Sequence, residues 1–85
     1  MGGVSTSDRD AVLAAFGQAV RRRRRALDLT QEQLADRAGL GRSYVTDVEL
    51  GIRNVALTTM VRLARALEVS LSQLIEDLGE TVSRN

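Results

Sequence analysis

Residues 31–49 read QEQLADRAGLGRSYVTDVE, and this stretch decides the fold. Its fifth place is the small Ala35, its ninth is Gly39, and its fourth, tenth, fifteenth and eighteenth places are aliphatic. This spacing predicts two short helices, because aliphatic side chains three and four residues apart share one helix face. Only the turn from Gly39 to Gly41 separates them, so the second helix must leave the first at a steep angle. Ala35 is small enough to let the two helices cross closely.

The rest of the chain adds three helices and no strand, because its apolar residues also recur in threes and fours and never alternate. Two helix starts carry complete capping boxes, Thr30 with Gln33 and Ser70 with Gln73. The helices are predicted over residues 8–27, 31–38, 42–50, 58–67 and 71–78, with N-caps at Ser7, Thr30, Gly41, Thr58 and Ser70. The sequence therefore predicts an all-α domain over residues 8–78, between flexible ends at residues 1–7 and 79–85.

The composition excludes several classes of function. The 85 residues contain no His and no Cys, so the usual general base at neutral pH, the commonest metal ligand and any disulfide framework are missing. We therefore expect no enzymatic activity, no metal and no cofactor, and nothing suggests a small-molecule ligand. No apolar run approaches the roughly 20 residues of a membrane span, and no secretory leader is evident. These observations favour a cytoplasmic protein without a membrane partner.

The positive charge is concentrated in the middle of the chain, although the formal net charge is only +1. Residues 21–53 hold eight arginines against five acidic residues, a net charge of +3, whereas the segments on either side carry −1 each. Such a distribution suits a polyanionic partner.

Five short motifs occur in a fixed order along the chain. Each is common alone, and they are Phe16-Gly17, Leu29-Thr30-Gln31, Arg42-Ser43-Tyr44-Val45, Glu49-x-Gly51 and Leu63-Ala64-x-Ala66-Leu67-x-Val69-Ser70. With these motifs, residues 16–78 resemble the xenobiotic-response-element family of regulators, which includes phage repressor and Cro proteins. The resemblance implies a five-helix, phage-repressor-like DNA-binding domain, in which the second and third helices form a helix-turn-helix. It also implies a sequence-specific transcriptional regulator that binds double-stranded DNA.

The resemblance assigns DNA contacts to individual residues. Family members lay the third helix in the major groove, so Arg42 could bind guanine and Asp47 could accept from a cytosine amino group. Tyr44 is one of two aromatic residues and is placed on a face that needs no core residue. The expected base contacts are Arg42, Ser43, Tyr44, Thr46 and Asp47. The expected phosphate contacts are Gln31, Arg53 and Asn54, with Gln31 also bracing the residue at the Arg42 position.

The run from Arg21 to Arg25 cannot form one basic face, because successive helical residues are turned by about 100°. Relative to the core direction, Arg21, Arg22 and Arg25 point away, and the remaining two flank the core. In the family, the arginine at the position of Arg24 pairs with the glutamate at the end of the third helix. The resemblance therefore implies a structural ion pair between Arg24 and Glu49.

A single domain of this size makes few DNA contacts, so we expect a homodimer on two half-sites about 34 Å apart. Ile75 and Leu78 are candidates for the dimer interface, and the alternative is that both complete the monomer core. The stretch from Arg42 to Glu49 and the following Arg53-Asn54-Val55 resemble restriction–modification controller proteins, which regulate their own operon as dimers of one domain. An antitoxin or adaptor whose main partner is another protein remains the alternative. Residues 8–15 receive no role.

Overall fold

The computed structural model describes residues 6–79, and within this range the chain forms five α-helices and no strand. The helices are α1 (Thr6–Ala26), α2 (Gln31–Ala38), α3 (Arg42–Glu49), α4 (Leu57–Ala66) and α5 (Leu71–Glu76). The predicted all-α, five-helix fold is confirmed. None of the described helices is long and apolar enough to cross a membrane.

Both predicted capping boxes are present. The Thr30 side chain accepts a hydrogen bond from the Gln33 backbone N–H at 3.1 Å, and the Gln33 side chain accepts one from Thr30 N–H at 2.8 Å. Ser70 and Gln73 repeat the arrangement at 3.0 and 2.9 Å. Each box satisfies two backbone donors that the helix leaves free. Gly39 ends α2 with φ +69°, a left-handed conformation that glycine adopts without strain.

α3 begins at Arg42 with Gly41 as its N-cap, as predicted, whereas the starts of α1 and α4 differ from the predictions. α1 begins at Thr6, two residues early, so Ser7 lies inside the first turn instead of capping it. α4 begins at Leu57 with Ala56 as its N-cap, which corrects the prediction that Thr58 caps this helix. Met60 N–H donates to Ala56 C=O and closes the first turn there, so Thr58 is already helical and cannot adopt the extended cap conformation. Most of the two predicted flexible ends, residues 1–5 and 80–85, lies outside the described residues.

The core is aliphatic, with Phe16 as its one buried aromatic side chain among the described residues. α1 packs on α3 and α5, α2 packs on α3 and α4, and α4 packs on α5. The side chains that are almost entirely buried come from every helix: Val20, Leu34, Val45, Val48, Leu63, Leu67 and Leu74. Close packing of this kind fixes α3 against the rest of the domain.

α1 and α3 cross with no room for a side chain at Gly17. A Cβ atom on Gly17 would meet the Val48 carbonyl oxygen and would lie 2.8 Å from the Glu49 carbonyl oxygen. These obstacles are backbone atoms, which cannot rotate away as a side chain can. Gly17 is therefore the residue that lets the last turn of α3 lie directly on α1.

Candidate nucleic-acid interface

The eight residues of α3 divide into an inward and an outward face. Val45 and Val48 are buried in the core, whereas Arg42 and Ser43 at the start of the helix are exposed. Tyr44, Thr46 and Asp47 are half-buried. The N-terminal half of α3 is thus presented to solvent by a helix whose other side is packed, an arrangement in which side chains can meet a partner without reorganising the backbone.

A buried ion pair joins α1 to the end of α3. The Arg24 guanidinium donates from Nε to Glu49 Oε2 at 2.7 Å and from Nη2 to Glu49 Oε1 at 3.0 Å. Arg24 Nη1 also donates to the Leu29 carbonyl oxygen at 2.7 Å. The two side chains are only 11% and 3% exposed. The hydrogen bond to Glu49 raises the pKa of Arg24 above its ordinary value. The two residues that the resemblance paired are therefore in contact.

Gln31 extends this pair into a network that reaches the outward face of α3. Gln31 Nε2 donates to Glu49 Oε1 at 3.1 Å, and Gln31 Oε1 accepts from the Thr46 hydroxyl at 2.9 Å. Because a carboxylate only accepts hydrogen bonds, Glu49 fixes which end of the Gln31 amide faces it. Gln31 therefore braces Thr46 and not Arg42, which corrects the predicted brace. Each end of the amide makes one of these hydrogen bonds, so the second Nε2 hydrogen of Gln31 and the backbone N–H groups at the start of α2 remain for an anion.

Arg53 lies against α3, although it follows the helix in the sequence. Its Nη2 atom donates to Asp47 Oδ2 at 3.2 Å, and its Cζ atom lies 4.7 Å from the centre of the Tyr44 ring. Tyr44 also packs partly on the hydrophobic core. The prediction that Tyr44 occupies a face without core contact is therefore wrong, because the ring is wide enough to cover the core edge and Arg53 together. Asn54, the next residue, is exposed.

The arginines of the run from Arg21 to Arg25 point to different sides of α1, and only some of them are exposed. Arg21, Arg22 and Arg25 are exposed, as predicted. Arg23 pairs with Asp77 near the end of the described chain, with N–O distances of 2.8 and 3.1 Å. The hydrogen bond from Arg23 lowers the pKa of Asp77, against a smaller opposing effect of burial. This pair could not be predicted from the sequence, because no local spacing connects residues 54 positions apart.

The two residues predicted for the dimer interface, Ile75 and Leu78, differ in how far they are buried in the monomer. Leu78 is only 6% exposed and belongs to the monomer core, whereas Ile75 is half-buried. Leu78 follows Leu74 by four residues and thus shares its inward direction, a spacing that could have indicated its burial. Leu78 is therefore removed as an interface candidate. Three large apolar side chains that the prediction did not include are exposed: Leu50 at 65%, Ile52 at 69% and Leu57 at 62%.

Comparisons with known proteins agree with this geometry. The family model described as helix-turn-helix matches residues 20–74. The control protein C.SmaI of Serratia marcescens is 45% identical over 60 residues, which cover 71% of each chain. The control protein C.BamHI of Bacillus amyloliquefaciens is 39% identical over 62 residues, covering 72% of this chain and 76% of that protein. The crystal structure of the restriction–modification controller C.AhdI of Aeromonas hydrophila superposes with a TM-score of 0.72 at 48% identity, covering 73% of this chain and 94% of that chain.

Proposed function

The chain belongs to the helix-turn-helix family of DNA-binding transcriptional regulators, and we propose that it acts as a homodimer on a two-fold symmetric operator. The observation that carries the proposal is the solvent-facing start of α3 on a helix anchored from behind by Arg24, Glu49 and Gln31. From here on, α3 is called the recognition helix. Its backbone is already fixed before DNA binds, so little ordering is required on association.

The base contacts are assigned to the outward residues of the recognition helix. Arg42 and Ser43 are exposed at its start, where a guanidinium can make two hydrogen bonds to guanine O6 and N7. The hydroxyl of Ser43 can bond to either a donor or an acceptor. Gln31 would contribute through the backbone N–H groups at the start of α2, because helix N-termini attract phosphates. Asn54 is exposed beyond the Gly51 turn and supplies a further polar contact to the DNA backbone.

The dimer interface is assigned to α4 and α5, which pack on each other. Ile75 on α5 is half-buried in the monomer, and Leu57 at the start of α4 is 62% exposed. Covering such side chains with a second copy would remove apolar surface from water, which favours association. A closed dimer of this kind matches the two-fold symmetry of a palindromic operator.

The roles of the similar proteins support a proposal about which genes this chain regulates. C.SmaI and C.BamHI are control proteins, and C.AhdI is a restriction–modification controller. Each is matched over more than two thirds of its own length. We therefore propose that this chain controls transcription in a restriction–modification system.

Selection of binding sites from a random double-stranded DNA library, at two salt concentrations, tests the proposal. We expect a two-fold symmetric site, in which Arg42→Ala removes the preference at one position of each half-site and weakens binding by roughly 10- to 100-fold. Arg9→Ala changes an exposed arginine near the start of α1, outside the proposed DNA and dimer contacts, and is the matched control, which should select the wild-type site. Sequence-independent, salt-sensitive binding would contradict an operator. No DNA binding at all would favour a protein partner, as for an antitoxin or adaptor.

A further inference from the structure

Arg53 is held on the recognition helix by two of that helix's own side chains. Asp47 takes a hydrogen bond from Nη2 at 3.2 Å, and the Tyr44 ring lies 4.7 Å from Cζ. One contact fixes an edge of the guanidinium and the other fixes its face. The Arg53 side chain remains 45% exposed, and these two contacts favour one direction of its planar guanidinium.

The pairing with Asp47 changes what Arg53 is suited to bind. The two charges neutralise each other, so the pair has no net attraction for a phosphate, and a phosphate next to Asp47 would be repelled by its carboxylate. Guanine recognition depends instead on the direction of two N–H donors. Because a guanidinium has five such donors, the hydrogen bond to Asp47 leaves enough for a two-bond contact with guanine O6 and N7.

The position of Asp47 fits the same conclusion. It follows Ser43 by four residues, so the two lie on one side of the recognition helix. The Arg53 guanidinium, bound to Asp47, therefore lies on the same side of the recognition helix as Ser43, one turn further along the chain. This extends the row of hydrogen-bonding groups on the recognition helix beyond its own first turn.

On this geometry we propose that Arg53 reads a guanine in the major groove and that Asp47 is the positioning residue that directs it. Arg53 then belongs with the base contacts and not with the expected phosphate contacts. Asp47 acts through Arg53 instead of accepting from a cytosine amino group. The inference rests on the proposed function, because it concerns the same DNA interface.

Library selection with conservative variants of Arg53 and Asp47 tests the inference. Arg53→Lys keeps the positive charge but loses the planar fork, so we expect the guanine preference to disappear at one position of each half-site, with about 10- to 100-fold weaker binding to the wild-type site. This position must differ from the one lost in Arg42→Ala. Asp47→Asn keeps the shape but releases Arg53, and we expect it to weaken the preference at the same position as Arg53→Lys.

Failure of this inference can be distinguished from failure of the proposed function. Asp36→Asn removes an exposed carboxylate from α2 and should select the wild-type site. The inference is overturned if Arg53→Lys selects the wild-type site while Arg53→Ala weakens all sequences equally and lowers the salt dependence by about one charge, the behaviour of a phosphate contact. It is also overturned if Asp47→Asn changes a different position. If the wild-type chain selects no site, the proposed function itself fails.

Discussion

Two neighbouring arginines of α1 show how differently the two sides of the domain are held together. Arg24 reaches the recognition helix, where its pair with Glu49 is almost fully buried and continues into Gln31 and Thr46. Arg23 reaches Asp77 beyond α5, and these two side chains remain 35% and 22% exposed. Removing one partner of a buried pair leaves an uncompensated charge, whereas an exposed pair contributes about 0–1 kcal/mol. The α3 side is therefore held by directional polar contacts in addition to its buried valines, and the α4–α5 side mainly by leucine packing.

Arg24→Ala tests the buried side and should have the largest effect. We expect the free energy of unfolding to fall by about 3–5 kcal/mol, because Glu49 would remain buried without its cation. Urea denaturation followed by circular dichroism measures this difference. Arg25→Ala, at the next and exposed position, is the control and should stay within about 0.5 kcal/mol of the wild type. A loss below about 1 kcal/mol for Arg24→Ala would remove the contrast between the two arginines.

Gly17→Ala tests the close crossing of α1 and α3 without changing any charge. The added methyl group would collide with the carbonyl oxygens of Val48 and Glu49. We expect a loss of about 1–3 kcal/mol, the usual effect of overpacking, although alanine favours a helix more than glycine does. Thermal unfolding measures the loss, and Gln18→Ala at the adjacent exposed position should show none. Equal stability of Gly17→Ala and wild type would mean that the crossing can open.

Asp77→Asn tests the exposed side and should have the smallest effect. Since the hydrogen bond from Arg23 lowers the pKa of Asp77, the carboxylate stabilises the fold above its unfolded pKa and loses this effect as the pH falls through the folded pKa. We expect Asp77→Asn to be less stable by at most about 1 kcal/mol at neutral pH. Unfolding curves at several pH values should show the difference from wild type vanishing as the pH falls through the folded pKa of Asp77. A difference that persists at low pH would exclude the ion pair as its source.

The features that could be predicted from the sequence are those encoded within a few residues or carried by the family resemblance. Thr30 with Gln33 and Ser70 with Gln73 are capping boxes whose partners are three residues apart. The Arg24–Glu49 pair spans 25 residues and was placed by the resemblance, because no spacing rule connects its two helices.

The features that were missed depend on how helices meet in three dimensions. The Arg23–Asp77 pair joins residues 54 positions apart. The attachment of Arg53 to Tyr44 and Asp47 depends on the path of the chain after Gly51, and the brace from Gln31 to Thr46 depends on the angle between α2 and α3. The need for glycine at position 17 has no local turn signal in the sequence, because it arises from the backbone of α3, which leaves no room for a side chain there.

The inward anchoring of the recognition helix also has a consequence for how such regulators diverge. The crossing at Gly17, the buried valines and Glu49 fix the position of the helix without using its exposed residues. Substitutions at Arg42 or Ser43 should therefore alter stability by only about 0.5 kcal/mol. With the base contacts proposed for these two positions, a duplicated gene could change its operator while keeping the same folded scaffold, without passing through destabilised intermediates.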